Sequence, residues 1–270
     1  MSRARPARRD LLGLIPVSLA LCASALVSAP AAAAQTPGLR TWLKLVADLD
    51  GRTVFSVTEG MVWGFKPQAD DLTAAQFARR LYGYRSLLAR KVETTPDGLR
   101  LRTKGWSFYL DADSGEPVSE LLNPYTGLKV TCPPLSGPAS SVTYGGPVAT
   151  GAGPDLTMRR IGDHAWIGVD RISRFKPSDT TWFKLEADLT TYACRTADLD
   201  NPANSHIPST WSHSLTAEWQ TWMRMHGEPG HILFNGAGVA LRGPEQIGTD
   251  LRRAIDRGFP GALAETLAWG

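Results

Sequence analysis

Four histidines, His206, His213, His226 and His231, fall within 26 residues. Three tryptophans and two methionines are interleaved with them in the stretch WSHSLTAEWQTWMRMHGEPGH, residues 211–231. Imidazole ionises near neutral pH and is the commonest metal ligand, so these residue types suit either proton transfer or metal binding. The spacings argue against a metal. Successive histidines stand 7, 13 and 5 residues apart, and no glutamate sits between a pair one helical turn apart, as it does in a zincin helix. The "MRM" pair offers soft sulfur ligands, yet beside tryptophans thioethers serve better as gap-fillers in a core. We therefore expect no metal and no cofactor. Two chemistries remain. In one, His231 or His213 moves a proton while Arg224 or Asn123 holds an oxyanion. In the other, Tyr125, Trp219, Trp222, Met223 and His231 line a pocket that takes a small apolar or aromatic compound. The sequence holds no G-x-S-x-G, no G-x-G-x-x-G after a strand and no P-loop. The acidic string DADSGE (111–116) lacks the third ligand of a calcium loop and reads as a hairpin turn.

The elements that must position these groups read mostly as strands and turns. Trp42 to Leu49 alternates apolar and polar, Asp50-Gly51 signals a turn, and Thr53 to Trp63 is β-branched and aromatic, so residues 41–64 predict a hairpin. Thr73 and Gln76 form a capping-box pattern for a short helix over 73–81, while 84–95 fits helix or strand. Leu99–Lys104, Trp106–Leu110 and a hairpin over Met158–Ile172 follow, with turns at 96–98, 111–116 and 123–127. Residues 133–157 are rich in Pro, Gly and Ser and predict a long loop or linker. On a helix starting at Leu215, the residues Trp219, Trp222, Met223 and His226 would share one stripe laid on a core. Gly248–Arg257 is amphipathic and ends at Gly258 and Pro260, which predicts a C-terminal helix. TWLKLVADL (41–49) and TWFKLEADL (181–189) agree at seven of nine positions. Duplicated halves joined by the 133–157 segment, or a shared strand pattern without duplication, both account for that echo.

The ends and the composition bound where the protein works. Residues 1–34 carry Arg3, Arg5, Arg8 and Arg9, an apolar run and four closing alanines, the layout of a cleaved export signal. Arg8-Arg9-Asp10-Leu11-Leu12 suits the twin-arginine machinery, which carries folded proteins. Leu21 before Cys22 is too large for a lipoprotein box, so no lipid anchor is expected. Four of the 29 Lys and Arg and one of the 26 Asp and Glu lie in this segment, which leaves 25 of each. A neutral mature chain gives no footprint for nucleic acid or an anionic membrane. The remaining 236 residues hold all nine tryptophans, enough for one sizeable core. Cys132 and Cys194 either pair or stay as separate thiols.

Three strings, DGRTVFSVTEGMVWG, FYLDADSGEPVSELLNPYTGLKV and PSTWSHSLTAEWQTWMRMHGEPGHILFNGAG, occur in that order over roughly residues 42–245. Together they resemble the exported bacterial domain-of-unknown-function family 1838, with NPYTG and the W..WM.M..PG pattern as the most specific parts. The chain departs from the family at His226, where glycine is expected after Met225. The matching positions are Asn123, Tyr125, Trp219, Trp222, Met223, Met225 and Gly230. The resemblance implies a β-rich exported protein without a settled reaction. The expectation is one mainly β domain over 35–270, an antiparallel barrel or barrel-like sandwich with one or two short helices, located in the periplasm or secreted. Its function is binding of a small molecule, cofactor-free acid/base chemistry as a lyase, isomerase or hydrolase, or a structural role in the envelope.

Overall fold

Alternating side chains build the molecule around one large antiparallel sheet. The computed structural model describes residues 37–66, 78–136, 139–144, 156–175 and 184–269. The long strands are β1 (Val54–Phe65), β2 (Ala78–Thr95) and β3 (Gly98–Leu110). The short β4 (Pro117–Val118), β5 (Glu120–Leu122), β6 (Lys129–Thr131), β7 (Leu135–Ser136) and β8 (Ser140–Tyr144) follow. Then come β9 (Leu156–Ile161), β10 (His164–Phe175), β11 (Lys184–Arg195), β12 (Thr210–Ala217) and β13 (His231–Ala240). The order across the sheet is β4-β3-β2-β1-β13-β12-β11-β10-β9, with β7 and β8 also on β3, while β5 and β6 form a separate ribbon. The fold is mainly β, as expected. The sheet curls without closing: among the described residues nothing pairs with the outer edge of β9.

Among the described residues four α-helices complete the fold, where the sequence predicts one or two: α1 (Pro37–Val46), α2 (Thr196–Asp200), α3 (Thr249–Gly258) and α4 (Ala262–Leu267). On the inner face, α1 packs Leu39, Trp42, Leu43 and Val46 against Val92, Leu101, Ile167, Tyr192 and Trp211, and so fills one end of the curl. Trp219, Met223 and Met225 fill the other end against Val62, Tyr82, Tyr109 and Ile232. The opposite phase of the same strands, Phe55, Leu87, Ala89 and Trp106, faces outward under Leu251 and Ile255 of α3 and Leu263 of α4. Strand alternation thus serves both faces of β1–β3.

Several expectations need correction. Trp42–Leu49 is helical in its first part, because Leu39, Trp42, Leu43 and Val46 also satisfy the i, i+3, i+4, i+7 stripe, and the inner end of the sheet buries that stripe. The second copy of the echo is extended over its described part, Lys184–Leu189 in β11, so the two similar strings take different structures there. Residues 78–81 open β2 instead of ending a helix, and 84–95 continue it; 73–77 lie outside the described residues. Within 133–157, Leu135–Ser136 and Ser140–Tyr144 pair with β3, while 137–138 and 145–155 lie outside the described residues. The helix from Leu215 does not form. Thr210–Ala217 is hydrogen-bonded on both sides, by β11 and β13, and only Thr221–Met223 makes a single 3-10 turn. There the alternation of Trp211, His213 and Leu215 toward the inner face, with a partner strand on each side, outweighs the helical spacing. The two cysteines do not pair: Cys132 sits in the Trp219 cluster and Cys194 in the α1 cluster, at opposite ends. Burial pushes the Cys132 thiol up to about 11 and raises Cys194 as well.

Candidate functional site

Between the two end plugs the inner face encloses a cavity of about 110 Å³, counted for the centre of a water molecule. That is small beside the usual range for small-molecule sites, so it suits only a compact ligand. Tyr82, Tyr84, Ser86, Leu88 and Arg90 reach it from β2, Ser107 and Tyr109 from β3, Thr190 and Tyr192 from β11, and Trp211, His213 and Leu215 from β12. β3 and β11 stand five strands apart in the sheet order. In a flat sheet that is about 24 Å, so both can wall one cavity only because the sheet curls.

Glycines lie beneath two of its lining rings. A side-chain carbon at Gly236 would collide with the Tyr84 hydroxyl, and one at Gly238 would collide with the Trp211 ring. Each bare position lets an aromatic ring lie flat across the neighbouring strands. Tyr84 thereby crosses β1 and β13 and brings its hydroxyl 3.4 Å from His213 Nδ1 on β12. Behind His213 lies Asp188, 3.8 Å from its Nε2, buried, and 3.5 Å from the Arg171 guanidinium. Thr190 donates to Asp188 at 3.2 Å. Burial lowers the His213 pKa, and Asp188 opposes that shift; burial also raises the Tyr84 phenol. At neutral pH the line is a neutral phenol, a neutral imidazole and a carboxylate. With the imidazole proton on Nε2, facing Asp188, Nδ1 is a base that accepts from Tyr84. The walls also carry Tyr82 Oη and Gln220 Nε2, buried polar atoms without a hydrogen-bond partner among the described residues.

The structure joins most of the sequence-predicted site residues, but at the end wall beside the cavity. Asn123 Nδ2 donates to the Met223 carbonyl, and its Oδ1 accepts from the Tyr125 N–H, both at 2.9 Å. Tyr125 donates to the Gly64 carbonyl at 2.6 Å and meets Trp219 edge to face at 5.4 Å. Trp222 packs on Tyr82 and Tyr109, the rings that form this end of the cavity. The two most specific strings of the family resemblance therefore meet at one structural joint. His231 stands apart, exposed and stacked on Phe65 at 5.1 Å, and that partial cover lowers its pKa. Arg224 is exposed in a left-handed backbone conformation (φ 56°) after the 3-10 turn. Of the candidates, His213 alone lines the main cavity. Sequence reasoning missed Tyr82, Tyr84, Arg90 and Tyr109; the alternation Tyr82, Tyr84, Ser86, Leu88, Arg90 is the signal that marks the first three. His206 is a structural residue. Its Nδ1–H points at the Lys44 and Ala47 carbonyls, each 3.0 Å away, and closes the end of α1.

Among the described residues no three His, Cys, Asp or Glu side chains gather as a metal site, and no helix is long and apolar enough to cross a membrane. No curated protein matches the chain. Residues 163–263 match the family model described as "Protein of unknown function (DUF1838)", the family that the sequence strings resemble. The match spans β10 to β13 and α3, the half of the cavity wall that carries His213.

Proposed function

We propose that the protein binds a small, largely aromatic compound in the inner cavity, working in the periplasm or outside the cell after export by the twin-arginine machinery. The observation that carries the binding reading is the cavity itself: tyrosine and tryptophan rings around a compact hollow, with buried polar atoms in its walls that have no hydrogen-bond partner among the described residues. Such atoms cost free energy until something bonds them, and a ligand with matching donors and acceptors recovers that cost. The leader's paired arginines and terminal alanines support export. The neutral mature chain supports neither nucleic acid nor a membrane surface as partner.

The test is thermal stabilisation. A bicyclic aromatic amide such as 2-naphthamide, present at about 100 times its dissociation constant, adds ~2.7 kcal/mol and raises Tm by several degrees. Ser86→Phe, which puts a ring into the hollow, removes that shift while the protein stays folded. A shift that survives Ser86→Phe places binding elsewhere and defeats the reading.

The line Tyr84–His213–Asp188 favours a second reading, a cofactor-free acid/base enzyme in which the Tyr84 hydroxyl takes a proton from the bound compound as it passes its own to His213 Nδ1, and Asp188 stabilises the imidazolium. Deuterium incorporation from solvent into an acidic C–H position of a bound compound decides it. The wild type exchanges and His213→Asn does not; equal exchange in both discards the enzymatic reading.

A further inference from the structure

Arg90 enters the cavity wall from β2, in register with Val54 on β1 and Thr103 on β3, at the end nearer α1. Its side chain is half-buried, and Nε is buried without a hydrogen-bond acceptor among the described residues. A guanidinium stays charged at any accessible pH, so burying part of it unpaired is unfavourable unless an acceptor arrives from elsewhere. No Asp or Glu is among the described cavity-lining residues; Asp188 lies behind His213 and faces Arg171. His213 is neutral at pH 7, because burial lowers its pKa. Among the described residues, the lining of this aromatic hollow therefore carries one net positive charge. Hydroxyls share the inner face with Arg90. Thr103 Oγ1 is buried without a partner among the described residues, and Ser86 and Ser107 share a 2.6 Å hydrogen bond beside Thr58.

We infer that the ligand is a monoanion, an aromatic or apolar carboxylate whose carboxyl group pairs with Arg90 and whose rings lie among Tyr84, Tyr192 and Trp211. The inference rests on the cavity being the binding site and adds the charge of what fills it. A carboxylate fits better than a phosphate dianion, because one guanidinium offers a planar, bidentate fork for two oxygens and a single compensating charge. The Ser86–Ser107 pair, which uses one of its two hydroxyl protons between the two side chains, has the other to donate to a carboxylate's remaining lone pair. Positive charge in a partly buried pocket also selects by exclusion: a cationic amine of the same shape meets a like charge.

A pair of probes with one shape and two charges tests this: 2-naphthoate and 2-naphthamide, titrated into the full-length protein by calorimetry at pH 7.5. The wild type binds the naphthoate about tenfold or more tightly than the amide, since a charge-assisted bidentate pair in a partly buried site is worth that much. Raising the salt concentration weakens the naphthoate and leaves the amide unchanged. Arg90→Gln brings the two within about threefold while amide binding persists, and Arg90→Lys keeps part of the preference. Amide binding as tight as naphthoate binding in the wild type, or a preference that Arg90→Gln leaves intact, overturns the carboxylate inference and leaves the cavity reading standing. Failure of the wild type to bind either probe at millimolar concentration overturns both. Should Arg90→Gln not fold, the wild-type preference and its salt dependence decide the matter alone.

Discussion

Asn123 uses its amide on two backbone groups, the Tyr125 N–H and the Met223 carbonyl, and is only 2% exposed. Removing it leaves the Met223 carbonyl without its Asn123 donor and loosens the NPYTG turn, so Asn123→Ala should lower stability by ~2–4 kcal/mol in urea unfolding. Affinity for ligand should hold in whatever fraction stays folded. Gly230 sits at φ 114° with the Phe65 carbonyl against the place where a side chain would start. Gly230→Ala should therefore destabilise by more than an ordinary surface change, of the order of 2 kcal/mol or more. His213 gives a pH dependence with a definite sign. Burial lowers its pKa in the folded state, so its neutral form contributes stability fully above the unfolded value near 6.5. That contribution is lost as pH falls through the folded value. Tm should drop below about pH 6.5 in the wild type and drop less in His213→Asn; identical pH profiles would discard this account. His213 is also the residue where sequence and cavity meet. The sequence marks it by chemical type alone. Tyr84, which shares its hydrogen bond, lies more than a hundred residues earlier, in a stretch whose pattern fits helix as well as strand. The histidine of the same string that stacks on Phe65, His231, shows how little residue type says about which face a strand turns inward.

At the level of elements, the sequence is most legible where one period stands alone. Gly248–Arg257 predicts α3 almost to the residue because Leu251 and Ile255 stand one turn apart and Gly258 ends the pattern. Both are buried against Trp106 and Phe55, so Ile255→Ala should cost ~2–4 kcal/mol and raise the urea sensitivity of the whole domain. Where two periods coexist, contacts with the rest of the protein decide. Thr41–Val46 satisfies both strand alternation and a helical stripe. Helix formation there depends on Leu39, outside the alternating run, and on the 205–209 segment: the Ile207 N–H bonds the Lys44 carbonyl at 2.8 Å and Ser209 reaches the Leu45 carbonyl. Residues 215–226 are the converse case, a helical stripe overruled by partner strands on both sides of Thr210–Ala217. Neither outcome is visible within a nine- or twelve-residue window, because the deciding groups lie some 160 residues away in one case and on neighbouring strands in the other.

For the molecule as a whole, the mainly β class and the antiparallel sheet follow from strand alternation and closely spaced turns. The strand order, the curl and hence the cavity do not, since they depend on which distant strands meet. The two ends of the cavity are plugged by independent clusters, one holding Cys194 and the other Cys132. Unfolding in denaturant without reductant should therefore expose both as free thiols, each taking one iodoacetamide by mass spectrometry; a protected pair would overturn this arrangement. Replacing Arg8-Arg9 with two lysines should hold the precursor inside the cell if the leader works as proposed, a result visible by fractionation. The seam at the sheet's centre has a further consequence, for timing. β1 joins β13, with Ser56 opposite Ala240 and Phe65 opposite His231. A ribosome releases β1, β2 and β3 long before it makes β13. Through most of synthesis the open edge of β1 waits, a row of unpaired amides that other chains can capture. Contacts this remote along the chain make for slow folding, and the cavity can form only when the polypeptide is nearly complete.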